Sequence, residues 1–333
     1  MPVFLVCFPM NMTTDMKNPE RTSSFDSVKA VAAYLVIFLH WETENLVGRS
    51  IHLLAYVAVP LFFMISGYFF LRLKERGRVV GQLKKVVWLT LYAYFFYFIF
   101  YWVRHQNVDS LSDWLIARRL SLYILACDVR LGFHLWYLNS IIFILGLVYL
   151  FTKKYDVRRL YYLIPVLLVL NWWLSSKDVE QEYNHNILIP GVSFFLLGSW
   201  MSVHTFHYRK WFVFLPFLFL FILIGELFFT ERLGIGRMFV CLVPLCVSVV
   251  LLAIHHPAFG AKTILPYIGR KLSAYIYVYH VAFLFLFYDC MSRPLAHSFL
   301  LPILTAVCST GVAWLHVKAK ELITRTWHRS SAS

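Results

Sequence analysis

The chain has 333 residues, of which 60% are hydrophobic, 19% aromatic and 14% charged, and its formal net charge is +14. Soluble globular domains carry about 25% charged residues, so this composition excludes an ordinary water-soluble domain. The basic residues are spread over loops between apolar runs, which excludes a nucleic-acid footprint. The six cysteines lack the spacing of metal ligands, so no metal site is predicted.

Apolar runs long enough to cross a bilayer recur along the whole chain. In hydrocarbon such runs form helices, because every backbone polar group must be satisfied within its own segment. The sequence therefore predicts an all-α, polytopic integral membrane protein with ten transmembrane helices. In chain order, the predicted spans are residues 25–42, 52–71, 85–103, 134–151, 160–174, 186–203, 211–229, 237–255, 271–289 and 297–317.

The Lys and Arg residues fall mainly in the loops on the side of the two termini, and the acidic residues favour the other side. Because a cationic excess in short loops marks the cytoplasmic face, we expect both termini in the cytoplasm and contacts between the basic loops and membrane lipid headgroups. The predicted parts are a cytoplasmic tail at 1–24 without a signal peptide, one membrane domain at 25–317 and a cytoplasmic tail at 318–333.

The longest predicted outer segment, residues 104–133, contains Trp114 and the neighbouring arginines Arg118 and Arg119. Loops of this length are usually functional or disordered. The segment is either a short helix lying on the membrane or a lid that binds the acceptor, with arginines placed for phosphate or sugar-acid groups.

The first span carries its few polar residues on one face. Lys29 and His40 are eleven residues apart, which at about 100° per residue is three helical turns plus about 20°, and Asp26 shares that face. At about 1.5 Å rise per residue, His40 lies roughly 16 Å beyond Lys29. An ionisable group within a span is costly, so it predicts a function, with a histidine that only packs between helices as the alternative.

Two further histidines predict a shared cavity. His280 lies nine residues beyond Lys271, about 13 Å along a helix that also leaves the cytoplasmic face, so it approaches the depth of His40. His134 opens the fourth span at its outer end. Because imidazole accepts and returns a proton near neutral pH, we predict that His40, His134 and His280 are catalytic.

Other polar residues have two interpretations each. Ser66 precedes Gly67 in an aromatic run, where small residues allow close helix approach, and a serine nucleophile would need a base beside it. Lys84 and Lys85 end the densest positive cluster, residues 72–85. That cluster either anchors the topology or binds the phosphates of a donor such as coenzyme A.

Four sequence blocks resemble, in their order along the chain, the acyltransferase-3 family of bacterial membrane-bound acyltransferases. The blocks are residues 26–29 (DSVK) with His40, 59–68 (VPLFFMISGY), 134–138 (HLWYL) and 268–280 (IGRKLSAYIYVYH). The resemblance spans most of the chain. It implies an acyl-CoA-dependent O-acyltransferase of the surface-polysaccharide O-acetyltransferase type, in the bacterial cytoplasmic (inner) membrane, with His40 as its essential histidine.

This chain departs from the family pattern at two places. The family has an arginine where this chain has Lys29, and paired arginines before the third span where this chain has Lys84 and Lys85. Lysine keeps the positive charge but loses the bidentate fork of arginine. We expect these three lysines to bind acyl-CoA, with acetyl-CoA as the donor co-substrate and no permanently bound cofactor.

The predicted reaction moves an acyl group, acetyl in the first place, from cytoplasmic acyl-CoA to a hydroxyl of a cell-surface polysaccharide or its lipid-linked precursor. His40 either activates the acceptor hydroxyl as a general base or carries the acyl group itself. His134 and Trp136 would hold the acceptor, and Asp26 and Ser66 are further candidates for substrate binding. The alternative is a transporter of a glycan or lipid-linked intermediate. Many such transporters have inverted halves with matching broken helices, and this sequence shows no such pattern. A scaffold in polysaccharide assembly is a third hypothesis.

Overall fold

The computed structural model describes residues 22–41, 45–105, 133–175, 190–233 and 240–330. Within those residues every regular element is a helix and none is a strand, so the predicted all-α class is confirmed. The main helices are α1 Ser23–Leu39, α2 Leu46–Ala55, α3 Ala58–Glu75, α4 Val79–His105, α5 Trp136–Lys154, α6 Leu163–Ser175, α7 Val192–Val203, α8 Leu215–Leu233, α9 Leu242–His255, α10 Ser273–Cys290 and α11 Leu300–Ser330. Short turns precede several of them: Phe133–Leu135 before α5, Val157–Tyr162 before α6, Lys210–Phe214 before α8, Leu265–Tyr267 with the π-helical turn Ile268–Leu272 before α10, and Arg293–Ala296 before α11.

Each of the ten predicted spans overlaps helix in the described part of the chain, although several boundaries differ. The predicted span 52–71 consists of α2 and α3, which meet just before Pro60, and the last helix continues beyond residue 317 to Ser330. Six helical segments of the described residues are long and apolar enough to cross a membrane: Leu46–Glu75, Val79–Arg104, Trp136–Lys154, Lys210–Phe229, Leu265–Cys290 and Leu300–Thr324. The count of ten and the cytoplasmic position of the termini stay predictions.

Helix α8 shows which solvent the fold requires. Phe217 is 68% exposed and Phe221 is 76% exposed on its surface, and nearly all of this apolar helix lies outside the protein interior. In water such a contiguous apolar face would drive aggregation, whereas in hydrocarbon it is solvated. Together with the other apolar helices, α8 identifies a multi-pass membrane protein.

Backbone-to-backbone contact joins α3 to α7. A Cβ atom on Gly67 would collide with the carbonyl oxygen of Phe195, and one on Gly198 would collide with that of Met64. Two glycines, one from each helix, therefore allow the two backbones to touch, as small residues do between membrane helices. The sequence-based interpretation of the Ser66-Gly67 pair as a close-packing site holds for its glycine.

The start of α1 is held by the π-helical turn Ile268–Leu272 in the same way. Gly269 lies so close to the carbonyl of Asp26 that a Cβ atom would overlap it. Asp26 is 3% exposed, and its carboxylate lies 3.6 Å from the Lys29 ammonium. π-Helical turns in proteins often occur at functional sites, and here the turn fixes where α10 begins relative to α1.

The end of α1 is fixed by a side chain of α2. The ring nitrogen Nδ1 of His52 lies 2.9 Å from the carbonyl oxygen of Phe38, one of the last carbonyls of α1, which helices leave without a partner of their own. The His40 amide turns back to Ile37 at 3.2 Å, so the last turn tightens and the helix ends at Leu39. His40 therefore lies at the very end of its helix, and its neighbour Trp41 is packed in the interior.

Candidate active site

Three imidazoles that are far apart in the sequence meet at one place in the fold. The ring centroid of His40 lies 5.4 Å from that of His280 and 6.3 Å from that of His134. The rings of His134 and His280 are 5.2 Å apart. The structure thus brings together the three histidines that the sequence predicts for one cavity. We call them the histidine cluster, and their catalytic role stays a prediction.

His280 is held in one tautomer by its own helix. Its side chain is fully buried, and its Nδ1 lies 2.7 Å from the carbonyl oxygen of Tyr277. Since a carbonyl only accepts hydrogen bonds, Nδ1 carries the hydrogen, and Nε2 of the neutral ring is an acceptor. Within the described residues no group hydrogen-bonds to that Nε2. His280 therefore contributes a buried proton acceptor to the histidine cluster.

His134 is enclosed by aromatic side chains. Its ring lies 4.8 Å from that of Tyr97 and 5.8 Å from that of Tyr277, and the Tyr277 hydroxyl donates to the main-chain carbonyl of His134. His134 is 2% exposed. It therefore lies behind the half-buried His40, rather than on a surface that a sugar would meet.

His40 is the member of the histidine cluster that reaches a cavity. Its side chain is half-buried, whereas His134 and His280 are buried. His40 and Trp41 line a cavity of about 210 Å³ together with several residues of α10. A substrate that enters this cavity meets the His40 imidazole before it can meet the other two.

Tyr97 on α4 ties the elements of the histidine cluster together. Its buried hydroxyl donates to the carbonyl of Val278 at 2.7 Å and accepts from the amide of Ala282 at 3.2 Å. These two backbone groups belong to the turn of α10 that carries His280, and the Tyr97 ring also contacts His134. Tyr97 therefore positions two of the three imidazoles through one side chain.

The other end of α1 carries a small cationic region. The Lys29 ammonium lies 5.8 Å from the ring centroid of Phe69, and the Arg72 guanidinium lies 5.7 Å from it. Both cations thus flank one aromatic ring of α3, a geometry that favours cation–π contact. Lys29 belongs to the predicted donor site, and Arg72 of the predicted cationic cluster 72–85 lies near the same ring.

The other predicted binding residues lie outside the histidine cluster. Asp26 is fourteen residues before His40, about 21 Å along the helix. Lys84 and Lys85 are exposed on the first turns of α4. Asp26 and the two lysines are therefore not brought to the imidazoles.

Ser66 lies on α3, and Trp136 contacts the same helix. The half-buried Trp136 ring contacts Phe63 at 6.1 Å. Ser66 donates to the carbonyl of Phe62 at 2.8 Å. That bond runs back along α3, as is common for serine in helices, so it gives no support to a nucleophilic Ser66. The predicted lid, with Arg118 and Arg119, lies outside the described residues.

Three site residues escape sequence reasoning: Trp41, Tyr97 and Tyr277. Trp41 had one usable signal, its position directly after His40. Tyr277 had another, its place in the family-like block 268–280. Tyr97 is one of 20 tyrosines in an aromatic-rich chain, so no local pattern separates it from lipid-facing rings. Within the described residues, no group of three or more His, Cys, Asp or Glu is placed to hold a metal ion.

The chemistry available at this place is proton transfer. Neutral imidazoles in mutual contact can take a proton, pass it on and return it, and low surrounding polarity strengthens each such interaction. The cavity beside His40 admits a reacting group of limited size.

Comparisons with known proteins agree with this chemistry. Residues 22–318 match the family model Acyl_transf_3, described as an acyltransferase domain. An amino-acid racemase of Enterococcus faecalis is 26% identical over 222 residues, which cover 59% of this chain and 30% of that protein. This chain thus corresponds to less than a third of the racemase, whose activity carries no argument here. No solved structure matches the chain.

Proposed function

The chain belongs to the acyltransferase-3 family, and we propose that it transfers an acyl group, acetyl in the first place, from cytoplasmic acyl-CoA to a hydroxyl of a cell-surface glycan or its lipid-linked precursor. The bacterial inner membrane is the proposed location. Membership in the family supports an acyltransferase activity. The donor, the acceptor and the acetyl preference belong to the proposal.

The observation that carries the proposal is the meeting of His40 with two other imidazoles beside a cavity. Transfer to a hydroxyl requires a base that removes the proton as the new ester bond forms. His40 lines the cavity. Within the described residues, no group hydrogen-bonds to His280 Nε2. His40 is therefore the proposed general base, and His280 and His134 are positioning residues that hold it or share its proton.

In the proposed step, the acceptor oxygen bonds to the acyl carbon, its proton passes to His40, and the carbon–sulfur bond of the thioester breaks. The coenzyme A thiolate leaves and takes the proton back from the imidazolium. His40 is well placed for this cycle, because the partial negative charge at the C-terminus of α1 stabilises a cation there by about 0.3–1 kcal/mol or more.

The two ends of α1 suit two substrates. The cationic region around Lys29 and Arg72 offers positive charge to the phosphates of coenzyme A, at the end that the loop charges predict to be cytoplasmic. The histidine cluster lies at the opposite end of the helix. The proposal therefore brings the donor from the side of Lys29 and the acceptor from the side of His40.

The test is label transfer in membranes from cells that lack the chromosomal copy of this gene. Membranes with the wild-type protein, supplied with acetyl-CoA labelled in its acetyl group, should yield base-labile label on the glycan fraction. His40→Ala should reduce this label by at least about 10²–10⁴-fold, the usual contribution of general acid–base catalysis.

His207→Ala is the matched control, because His207 is an exposed histidine away from the histidine cluster. It should transfer label at the wild-type rate. Normal labelling by His40→Ala at normal protein level would refute the role of His40. Glycan movement across the membrane without dependence on acyl-CoA would instead favour a transporter.

A further inference from the structure

The segment between α7 and α8 is fastened to the end of α9 by one tyrosine. The Tyr208 hydroxyl lies 3.1 Å from Nε2 of His256, and the Tyr208 ring lies 5.2 Å from that of His255. Phe212, four residues further along, contacts the ring of Tyr208 at 6.2 Å and that of His255 at 6.5 Å. The short stretch between Tyr208 and Phe212 therefore has a fixed place in the fold.

Arg209 and Lys210 in this stretch present two exposed positive charges. Within the described residues, neither side chain makes a hydrogen bond, an ion pair or a ring contact, and residues 183–225 contain no Asp or Glu. Arg104, by contrast, is paired with the Asp289 carboxylate at 2.6 Å. The pair of cations on this stretch therefore suits an anion that the described part of the protein does not itself supply.

The two cations lie where the surface of the chain changes from charged to apolar. The helical segment Lys210–Phe229 is long and apolar enough to cross a membrane, and it begins with the exposed rings of Trp211 and Phe214. Tryptophan is enriched at membrane–water interfaces, so Arg209 and Lys210 lie at the level of the lipid headgroups. The loop charges predict this end to be cytoplasmic. The most abundant anion at that level is the phosphate of a lipid.

We propose that Arg209, Lys210 and Trp211 form a binding site for the headgroup phosphate of an anionic phospholipid in the cytoplasmic leaflet. The Arg209 guanidinium binds the phosphate oxygens through its planar fork of N–H groups, and Lys210 adds a second positive charge. Trp211 packs its ring against the glycerol and the upper acyl chain. A zwitterionic headgroup carries its own cation, which this pair repels, so the site selects headgroups with a net negative charge. This lipid site is independent of the proposed acyl transfer.

The lipid site is connected to the start of α1. Pro257 follows His256, and its carbonyl oxygen accepts from the Ser24 amide at 3.2 Å. The Ser24 hydroxyl donates to the carbonyl of Ala253 at 2.7 Å. The first turn of α1 is thus bonded to the end of α9, which Tyr208 joins to the lipid site. A lipid that binds only the folded protein also raises its unfolding midpoint.

The test is native mass spectrometry of the purified full-length protein in detergent, with phosphatidylglycerol or phosphatidylcholine added. The wild-type protein should retain phosphatidylglycerol more tightly than phosphatidylcholine. Arg209→Gln combined with Lys210→Gln should weaken binding of the tightest phosphatidylglycerol about 25-fold, or about fivefold for each cation. Binding of phosphatidylcholine should not change. The same double variant should lose the rise in unfolding midpoint that phosphatidylglycerol gives the wild-type protein.

Lys153→Gln combined with Lys154→Gln is the matched control. It removes two neighbouring exposed charges, whose ammonium groups already lie 5.0 Å and 5.4 Å from tyrosine ring centroids, and it should bind phosphatidylglycerol nearly as the wild-type protein does. Arg209→Lys combined with Lys210→Arg keeps both charges and should do the same. Equal losses in the two glutamine double variants would reveal a general effect of net charge and overturn the site.

Coenzyme A is the other source of phosphate at this face, and two outcomes would assign the cations to it. One is displacement of phosphatidylglycerol from the wild-type protein by added coenzyme A. The other is a raised KM for acetyl-CoA in the Arg209→Gln and Lys210→Gln double variant, measured in nanodiscs of phosphatidylcholine alone. Either result overturns the lipid site, whereas no displacement and an unchanged KM are the results that we expect.

Discussion

At the start of α1, Asp26 pairs with Lys29 and the π-helical turn closes on the Asp26 carbonyl, whereas at its end His40 and Trp41 face a cavity. The first region is joined by direct backbone contact and an ion pair. The second keeps two buried polar atoms, His280 Nε2 and Trp41 Nε1, that have no hydrogen-bond partner among the described residues.

The start of α1 therefore anchors the helix, and its end lies at the candidate active site. Close contact between Gly269 and the Asp26 carbonyl leaves no room for a ligand between these two backbones, and it fixes the register in which α10 presents His280. At the far end, buried polar groups without hydrogen-bond partners are destabilising unless a substrate supplies those partners. We call the contact between Gly269 and the Asp26 carbonyl the joint. It helps to hold His280 in place, which lies about three helical turns beyond Gly269.

The largest expected effect concerns the reactive end. His280→Asn removes the ring that lies 5.4 Å from His40 and 5.2 Å from His134, and we expect kcat for acetyl transfer to fall about 10²-fold. The acidic limb of the kcat–pH profile should also move, because the number of coupled imidazoles changes. KM for acetyl-CoA should stay near the wild-type value.

A merely structural role of His280 would lower the yield of folded protein and leave the pH profile of the remaining activity unchanged. Label transfer measured between pH 5 and 9 on equal amounts of folded protein, with His207→Ala alongside, distinguishes the two cases.

The second effect concerns stability at the anchored end. Gly269→Ala forces a Cβ atom into the Asp26 carbonyl, and overpacking of this kind costs about 1–3 kcal/mol. The unfolding midpoint in detergent should drop, together with the protein level in membranes.

Gly225→Ala on α8 is the matched control, since nothing lies within 4 Å of the Cβ position of Gly225. Alanine is a better helix former than glycine by up to about 1 kcal/mol, so this variant should be as stable as wild type or slightly more stable. Equal midpoints for Gly269→Ala and Gly225→Ala would show that the joint at α1 can relax.

The smallest effect concerns the donor region. Lys29→Gln removes one partly exposed charge, and such charges contribute up to about 1 kcal/mol. We expect KM for acetyl-CoA to rise a few-fold with kcat unchanged, and Lys29→Arg to retain the wild-type KM. Lys154→Gln, an exposed lysine of α5, serves as control. A large loss of kcat in Lys29→Gln would place this lysine at the reacting atoms instead.

Much of the fold and part of the site were accessible from the sequence. Hydropathy predicts helices because the pattern lies within each segment, and every predicted span overlaps helix in the described chain. His40, His134 and His280 were predictable because an ionisable residue is conspicuous in an apolar run. Asp26 and Ser66 were named by the same reasoning, yet the structure places Asp26 in the joint with Gly269 and bonds Ser66 to its own helix.

The sequence by itself determined the solvent, the helical class and the polar residues that hydrocarbon makes costly, because these follow from the composition of single segments. Only the tertiary structure decided which of those residues meet. The distances among the three imidazoles, the hydroxyl of Tyr97 against α10 and the cavity at Trp41 depend on how helices from distant parts of the chain pack. That packing is set by contacts such as Gly67 with Phe195 and Gly269 with Asp26, whose partners no local pattern reveals.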